Sequence, residues 1–262
     1  MPDPAEPPGT DEPPSTDRPP GVPVAGAPLP PPPAAVLFDF HGTLAQVEDP
    51  VRWVLAAAAE CGVDLPRARA TVLADRLVTA GRAGGPVPHR VPPHLAEVWA
   101  ERDLYEHAHR AAYTGLAATV DSGVDGLPEA LYERLLSADG WSLYPEVVQT
   151  LQALVTARVP VALVSNVGFD LRPLARALGM DAYISAYLLS YEIGRCKPDP
   201  AIFYQACHAL GVPPEEALMV GDTPADAAAV AAGCRAYLLP TAPPGTANGV
   251  SAVLRLARPP LN

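Results

Sequence analysis

The chain is short of positive charge. Its 18 lysines and arginines stand against 29 aspartates and glutamates, so the 262 residues carry a formal net charge of -11. Nucleic acids and anionic membrane surfaces require basic patches on the proteins that bind them, and this balance argues against both kinds of partner. An anionic substrate would therefore have to be neutralised by groups inside its own binding site.

Long apolar runs and paired cysteines are also missing. No stretch of eighteen apolar residues occurs, and the first residues are acidic and proline-rich where a secretory signal needs a basic start and an apolar middle. The cysteines lack Cys-x-x-Cys spacing, which argues against a structural zinc site or a disulfide framework. We expect a soluble, cytoplasmic protein with reduced thiols. The four cysteines are Cys61, Cys196, Cys207 and Cys234.

The N-terminal segment differs in composition from the rest. Residues 1–33 hold many prolines and almost no periodic apolar pattern, so they cannot bury enough surface to offset the entropy of ordering. We expect a disordered tail there. Leu29–Pro33 has the composition of a polyproline II ligand, so a partner protein could bind it in an aromatic groove. A solvated linker is the simpler interpretation.

Secondary-structure patterns divide the remaining chain into a helical cap, residues 46–137, and an α/β core formed by residues 34–45 and 138–262. In the core, apolar strands alternate with helices, as in a parallel sheet that is covered on both faces. The expected strands after the first are Val159–Val164, Tyr183–Leu189, Ala217–Val220 and Ala236–Leu239. The expected cap helices are Val51–Ala59, Pro66–Gly81, Pro93–Ala118 and Leu127–Leu136.

Polar residues follow the apolar strands at four places. Asp39 ends the run that begins at Ala34 and leads into a Gly-Thr turn, and Asp222 follows the strand at Ala217–Val220. An acidic group beside a packed interior is costly unless it is paired or bound to a metal. Ligands of open α/β sheets bind at the carboxyl ends of the strands, where such residues converge. The full set is Asp39 with Thr43, Ser165 with Asn166, Lys197, and Gly221-Asp222 with Asp226.

Several of these residues have simpler explanations. Thr223-Pro224-Ala225-Asp226 is a capping box with proline at the first helical position, so Asp226 could serve only to cap a helix. Ser165 and Asn166 could be an ordinary polar strand end. Lys197 could be a solvated lysine that precedes an Asp N-cap at Asp199.

The ordered set of motifs resembles the haloacid dehalogenase superfamily of hydrolases, of the subfamily I type with a helical C1 cap after the first motif. The resemblance extends from Ala34 to about Leu239. It implies a Rossmann-like, doubly wound parallel sheet with the cap inserted after the first strand. It also implies a phosphatase-like, Mg²⁺-dependent hydrolysis of a small-molecule phosphate monoester through an aspartyl-phosphate intermediate.

The resemblance also implies roles for single residues. Asp39 would be the nucleophile, and Mg²⁺ would be held by the carboxylates of Asp39 and Asp222 and the backbone carbonyl of His41. Lys197 would act in catalysis by offsetting the charge of the phosphoryl group. The residues assigned to binding that group are Thr43, Ser165, Asn166 and Lys197. The supporting residues are Gly42, Gly221 and Asp226, of which Asp226 would orient Lys197 or a metal-bound water.

His41 departs from the family pattern, because phosphatases of this superfamily usually have a second Asp two residues after the nucleophile. We hypothesise that the imidazole takes over general acid and base catalysis from the missing Asp. Two alternatives stay open: a metal-independent 2-haloacid dehalogenase, whose relatives also lack that Asp, and a catalytically impaired protein that binds a phosphorylated ligand or a partner. The paired acids Asp222 and Asp226 favour phosphate chemistry.

Residues of the cap could contribute to specificity. The loop Gly81–Pro93 and its neighbour His94 could reach an anionic substrate through His89, His94, Arg82 or Arg90, although loops often serve only as connections. His107 and His109 lie two residues apart on one expected helix and so point to different faces. We expect both of these histidines to be solvated at the surface.

Overall fold

The chain forms a central parallel sheet with helices on both faces. The structure, a computed structural model, describes residues 31–243 and 245–257. The expected tail, residues 1–33, lies almost entirely outside the described residues. In chain order the strands are β1 (Ala35–Phe38), β2 (Ala45–Val47), β3 (Trp141–Leu143), β4 (Val161–Ser165), β5 (Ala186–Leu189), β6 (Ala217–Gly221) and β7 (Arg235–Leu238).

Five of these strands build the main sheet in the order β5-β4-β1-β6-β7, and all neighbours are parallel. The order runs outward in both directions from β1, so the carboxyl end of β1 is a topological switch point, where ligands of open α/β sheets bind. The doubly wound α/β fold predicted from the sequence is confirmed.

Burial on both faces explains why the strands are apolar without interruption. Val36 and Phe38 of β1 pack into one hydrophobic cluster, and Leu37 between them packs into the cluster on the opposite face. Alternate residues of a strand point to opposite faces, so a strand covered on both sides needs an apolar residue at every position. The helices that cover the sheet are α6 (Val147–Thr156), α7 (Arg172–Ala177), α8 (Ser190–Ile193), α9 (Pro200–Leu210), α10 (Pro224–Ala227) and α11 (Val253–Leu256).

The cap consists of helices inserted between β2 and β3, and it has a hydrophobic cluster of its own around Trp53 and Leu77. Asp49 begins the first helix by accepting hydrogen bonds from the backbone N–H groups of Val51 and Arg52. The strands β2 and β3 pair antiparallel at the base of the cap. The cap helices are α1 (Pro50–Glu60), α2 (Arg67–Ala80), α3 (Ala96–Glu101), α4 (Glu106–Ala118) and α5 (Leu127–Leu136).

One expectation about the cap was wrong, and one of its features was not predicted. The helix predicted over Pro93–Ala118 is a 3-10 turn followed by α3 and α4, with a break at residues 102–105. The break has a physical cause, since the backbone carbonyl of Asp103 accepts a hydrogen bond from the hydroxyl of Ser190 in the core. The pairing of β2 with β3 was also not predicted, because strands of three residues are too short to show a period. Among the described residues, no helix combines the length and the apolar character that crossing a membrane would require.

Candidate active site

The ammonium group of Lys197 lies between two buried carboxylates. Its Nζ atom is 2.6 Å from Oδ1 of Asp39 and 2.6 Å from Oδ1 of Asp226. Lys197 is 5% exposed, so these interactions are not screened by bulk water as a surface pair would be. Burial alone would lower the pKa of Lys197, but the two carboxylates outweigh it and raise the pKa above its ordinary value. The lysine is therefore charged at neutral pH.

Asp226 caps a helix and holds the lysine at the same time. Its Oδ2 atom accepts hydrogen bonds from the hydroxyl of Thr223 at 2.6 Å and from the backbone N–H of Thr223 at 3.0 Å, which completes a capping box for α10. Its Oδ1 atom accepts from Lys197. Gly221 permits this arrangement, because a Cβ atom there would lie 2.2 Å from Cγ of Asp226.

Asp222 lies against the turn that follows the nucleophile candidate. The Thr43 hydroxyl donates to Oδ1 of Asp222 at 3.3 Å. Gly42 has a φ of +89°, and a Cβ atom on it would lie 2.1 Å from Oδ2 of Asp222, so only glycine fits this position. Burial, followed by the charge of Asp226, raises the pKa of Asp222.

The three carboxylates form a cluster that fits a divalent cation. Oxygen atoms of Asp39, Asp222 and Asp226 all lie within 4.8 Å of one another. With one ammonium among them, two negative charges are left in excess when all are ionised. Burial raises the pKa of Asp39 to about 6, against the opposing charge of Lys197 and with the charge of Asp226 adding to the shift. Carboxylate oxygens are the ligands that Mg²⁺ prefers, and a bound cation would favour the ionised form of each acid.

Asn166 fixes the segment that carries the lysine. Its side-chain amide donates to the carbonyl oxygen of Lys197 at 2.8 Å and accepts from the Lys197 N–H at 2.7 Å. Ser165 ends β4, the neighbour of β1, and is 5% exposed. The structure thus brings Asp39, Lys197 and the end of β4 to one edge of the sheet, although as many as 158 positions separate them in the sequence.

His41 is held in a tight environment between the turn and the cap. Its ring meets the edge of Trp141 with centroids 5.8 Å apart, and a Cβ atom on Gly84 of the cap loop would lie 2.8 Å from its Nε2 atom. The buried Nε2 atom has no hydrogen-bond partner among the described residues. Burial, with a smaller effect from the charge of Arg82, lowers the pKa of His41 to about 4. The imidazole is consequently neutral at pH 7.

Sequence reasoning missed Asn248, which is 2% exposed. Its side-chain amide donates to the carbonyl oxygen of Thr43 at 2.8 Å, and its Oδ1 atom accepts from the N–H of Val250. Asn248 thereby anchors the turn after Asp39 from a position 205 residues away. No local pattern around Asn248 signals this contact.

In the cap, His109 is 3% exposed, so the expectation of a solvated surface residue was wrong, whereas His107 is exposed. His109 is buried because α4 packs on the core loop after β4, where a Cβ atom on Gly168 would lie 2.5 Å from Cβ of His109. In the 81–93 loop, Arg82 is 7% exposed and its guanidinium stacks on Trp53 at 4.2 Å. The other three polar candidates of that region, His89, Arg90 and His94, are exposed.

Comparison with known proteins finds similarity to hydrolases. Residues 33–233 match the family model described as haloacid dehalogenase-like hydrolase. The chain is 33% identical to a phosphoglycolate phosphatase from Photorhabdus laumondii over 133 residues, which cover 50% of this chain and 56% of that protein. It is 41% identical to a phosphoserine phosphatase from Thermus thermophilus over 85 residues, which cover 32% of this chain and 34% of the relative.

A solved structure described as a dehalogenase superposes with a TM-score of 0.59 at 26% identity, covering 85% of this chain and 96% of the other. The chain spans less than two thirds of the length of either phosphatase relative. The similarity to the phosphatases therefore concerns part of each protein, whereas the similarity to the dehalogenase concerns nearly the whole of that fold.

Proposed function

The chain belongs to the haloacid dehalogenase-like hydrolases, and on that premise we propose that it hydrolyses a small-molecule phosphate monoester in a Mg²⁺-dependent reaction with Asp39 as the nucleophile. The observation that carries the proposal is the Lys197 ammonium between Asp39 and Asp226, with Asp222 close enough to complete an acidic cluster. The relatives named as phosphoglycolate and phosphoserine phosphatases support this substrate class.

The proposed reaction has two steps at Asp39. In the first, the carboxylate attacks phosphorus and the ester oxygen leaves, which produces an aspartyl phosphate and an alcohol. In the second, water attacks phosphorus and restores Asp39 with release of inorganic phosphate. Lys197, Ser165 and the backbone N–H of Asn166 stabilise the phosphoryl oxygens during both steps. A bound Mg²⁺, held by Asp39, Asp222 and the carbonyl of His41, would neutralise negative charge on the phosphoryl group.

His41 is proposed to move the protons of both steps. Its neutral imidazole is suited to take a proton from the attacking water in the second step. In the first step the leaving oxygen needs a proton, and the negative charge of a bound phosphate ester favours the protonated imidazole that can supply it. We further propose that residues 46–137 act as a cap that closes over the site and excludes water while the ester is bound.

A metal-independent dehalogenase is the second candidate. The superposition on a dehalogenase structure and the replacement of the second acid by His41 favour it. In that reaction Asp39 would attack carbon, and halide would leave without a metal. The clustering of Asp222 and Asp226 with Asp39 argues for the phosphatase, because a carbon-centred displacement gains nothing from two further carboxylates beside the nucleophile. The catalytically impaired binding protein remains the third candidate.

The test is an assay on a panel of phosphate monoesters and 2-haloacids, with and without Mg²⁺. We expect Mg²⁺-dependent phosphate release that is lost in Asp39→Asn, which preserves shape but removes the nucleophile. The exposed Asp75→Asn is the matched control and should retain wild-type activity. Halide release without metal would establish the dehalogenase instead. A folded protein that turns over neither class but binds phosphate esters would contradict both enzymatic functions.

A further inference from the structure

Two cysteines that are distant in the sequence meet inside the core. The Sγ atoms of Cys207 and Cys234 are 3.7 Å apart, although 27 positions separate the two residues in the chain. Both thiols are free, and the two residues are 1% and 4% exposed. Cys207 lies in the last turn of α9, and Cys234 directly precedes β7. The proposed reaction uses neither thiol, so their contact is a separate chemical feature of the fold.

Backbone hydrogen bonds hold the two cysteines close to each other. The carbonyl oxygen of Cys207 accepts from the N–H of Val212, and the N–H of Cys234 donates to the carbonyl oxygen of Ala229, each at 3.1 Å. The sulfur atoms of a disulfide are about 2.05 Å apart, so each sulfur would have to move by only about 0.8 Å to form the bond. A shift of this size lies within the range of side-chain rotation.

The contact lies at the opposite edge of the sheet from the candidate active site. In the pairing of β6 with β7, Leu218 is level with Arg235, so Cys234 is level with the first residue of β6. Asp222 follows the last residue of that strand. A strand rises about 3.3 Å per residue, which places Cys234 roughly 15 Å from Asp222 along the strand direction. A bond between the two sulfurs would therefore leave the acidic cluster in place.

We propose that Cys207 and Cys234 are a modification site at which a small peroxide forms an intramolecular disulfide. In the first step one thiol, as its thiolate, attacks a peroxide oxygen and the O–O bond breaks, which gives a sulfenic acid and water. In the second step the other thiol displaces the hydroxyl group of the sulfenic acid, which forms the S–S bond and releases a second water. The two thiols together lose two electrons, and hydrogen peroxide takes them up as it becomes two molecules of water. The inference does not depend on the proposed function.

Burial restricts which oxidants and which cysteines take part. A buried thiol is inert toward bulky reagents, but helix ends fray, so a small peroxide reaches Cys207 when the last turn of α9 opens. Cys61 and Cys196 are less buried, yet within the described part of the chain neither of them has a second sulfur atom in contact. A sulfenic acid on either of these residues would have no neighbouring thiol to complete a disulfide.

The disulfide would enclose the segment that carries β6, Asp222 and Asp226. Cross-linking two positions removes conformations from the unfolded chain, and this effect grows with the length of the closed loop. With 27 positions between the cysteines, we expect the oxidised protein to unfold about 5 °C or more above the reduced protein. The modification would thus make the fold more resistant to heat without touching the acidic cluster.

The first test identifies the bond. Reduced protein is treated with hydrogen peroxide, the remaining thiols are alkylated in denaturant, and a digest is analysed by mass spectrometry without a reductant. We expect a cross-linked pair of peptides that contains Cys207 and Cys234 and that dithiothreitol separates, and Cys196→Ala should form the same bond. Alkylated thiols at both positions, a sulfinic acid at either one, or a cross-link to Cys61 or Cys196 would overturn the proposal.

The second test measures the consequence for stability. The oxidised and the reduced protein should differ in Tm by the shift given above, and dithiothreitol should abolish the difference. Cys207→Ala cannot form the bond and should show no rise after peroxide treatment, whereas Cys196→Ala should behave as wild type. A protein that carries the bond but unfolds at or below the Tm of the reduced form would refute the stabilisation. If Cys207→Ala does not fold, the oxidised and reduced forms of Cys196→Ala still give the comparison.

Discussion

At the scale of single residues, the substitution of His41 is the most direct test of the proton transfers. Removal of a general acid or base usually lowers turnover by two to four orders of magnitude, so His41→Ala should reduce kcat by about a hundredfold or more. His41→Asp places the usual family residue at the position and should recover activity that His41→Ala has lost. Measured kcat values on one substrate decide the matter, and near-normal turnover in His41→Ala would refute the role.

Lys197 allows a prediction about the stability of the fold. Lys197→Met would leave the buried carboxylates of Asp39 and Asp226 without their common cation, and breaking a buried pair in this way costs about 3–5 kcal/mol. Burial already raises the pKa of Asp39, and without the lysine that pKa would rise further in the folded state, so the destabilisation should be large at pH 7 and smaller at pH 5, where this acid can be protonated.

Urea unfolding of Lys197→Met at the two pH values, without Mg²⁺, measures this difference. Arg195→Met is the matched control, because that exposed side chain forms an ion pair with Asp199 at 3.3 Å at the surface, and its removal should cost less than about 1 kcal/mol at either pH. A destabilisation of Lys197→Met that is the same at both pH values would show that the unpaired carboxylates are not its cause.

The sequence predicted which residues meet at the site because each follows the apolar core of a strand or, for Lys197, precedes the N-cap of α9. Asp39 and Asp222 could be assigned to one edge of the sheet on the rule that parallel strands share their carboxyl ends. Asn248 could not be found in this way. Its hydrogen bond to Thr43 spans 205 positions, and nothing in the local sequence specifies such a contact.

At the scale of secondary-structure elements, the packing of α4 on the core makes stability depend on pH. Burial and the charge of Arg102 lower the pKa of His109 to about 3, and its Nδ1 atom lies 2.8 Å from the hydroxyl of Tyr132. In the unfolded chain a histidine has a pKa of about 6.5. The contribution of the neutral ring is therefore complete above pH 6.5 and is lost as the pH falls toward 3.

We expect this loss to appear as a difference between variants. Between pH 6.5 and pH 5 the free energy of unfolding of wild type should fall by about 2 kcal/mol more than that of His109→Gln, which does not titrate. The exposed His107→Gln should follow wild type over the same range. Denaturant unfolding at several pH values gives the comparison, and parallel curves for wild type and His109→Gln would contradict the burial of a neutral ring.

The elements themselves were predictable to different degrees. The helix Leu127–Leu136 and the strand near Ala217 lie where the apolar spacing places them. The break between α3 and α4 was not predictable, because the cap pattern is helical on both sides of it and the cause is a contact between Asp103 and Ser190 in the core. Local sequence determines where helices are favourable, and tertiary contacts decide where they end.

At the scale of the whole molecule, the excess of acidic residues and the acidic cluster both make the stability of the fold depend on added cations. The net charge is -11, so the excess acidic side chains repel one another in the compact state. Salt screens this repulsion and thereby stabilises the fold. A cation bound by Asp39 and Asp222, with Asp226 close by in the acidic cluster, would add stability that screening cannot supply. The two effects can be separated, because screening depends on ionic strength alone and specific binding depends on the cation and on the ligands.

We therefore expect Mg²⁺ to raise the free energy of unfolding at constant ionic strength. At a concentration one hundred times the dissociation constant the gain should be about 2.7 kcal/mol. Asp222→Asn removes one charged ligand and should lose most of this gain, whereas the exposed Asp75→Asn should keep it. Thermal unfolding in Mg²⁺ and in NaCl of equal ionic strength measures the effect without reference to turnover. Equal stabilisation of all three proteins by the two salts would mean that the cluster binds no Mg²⁺ and that only screening operates.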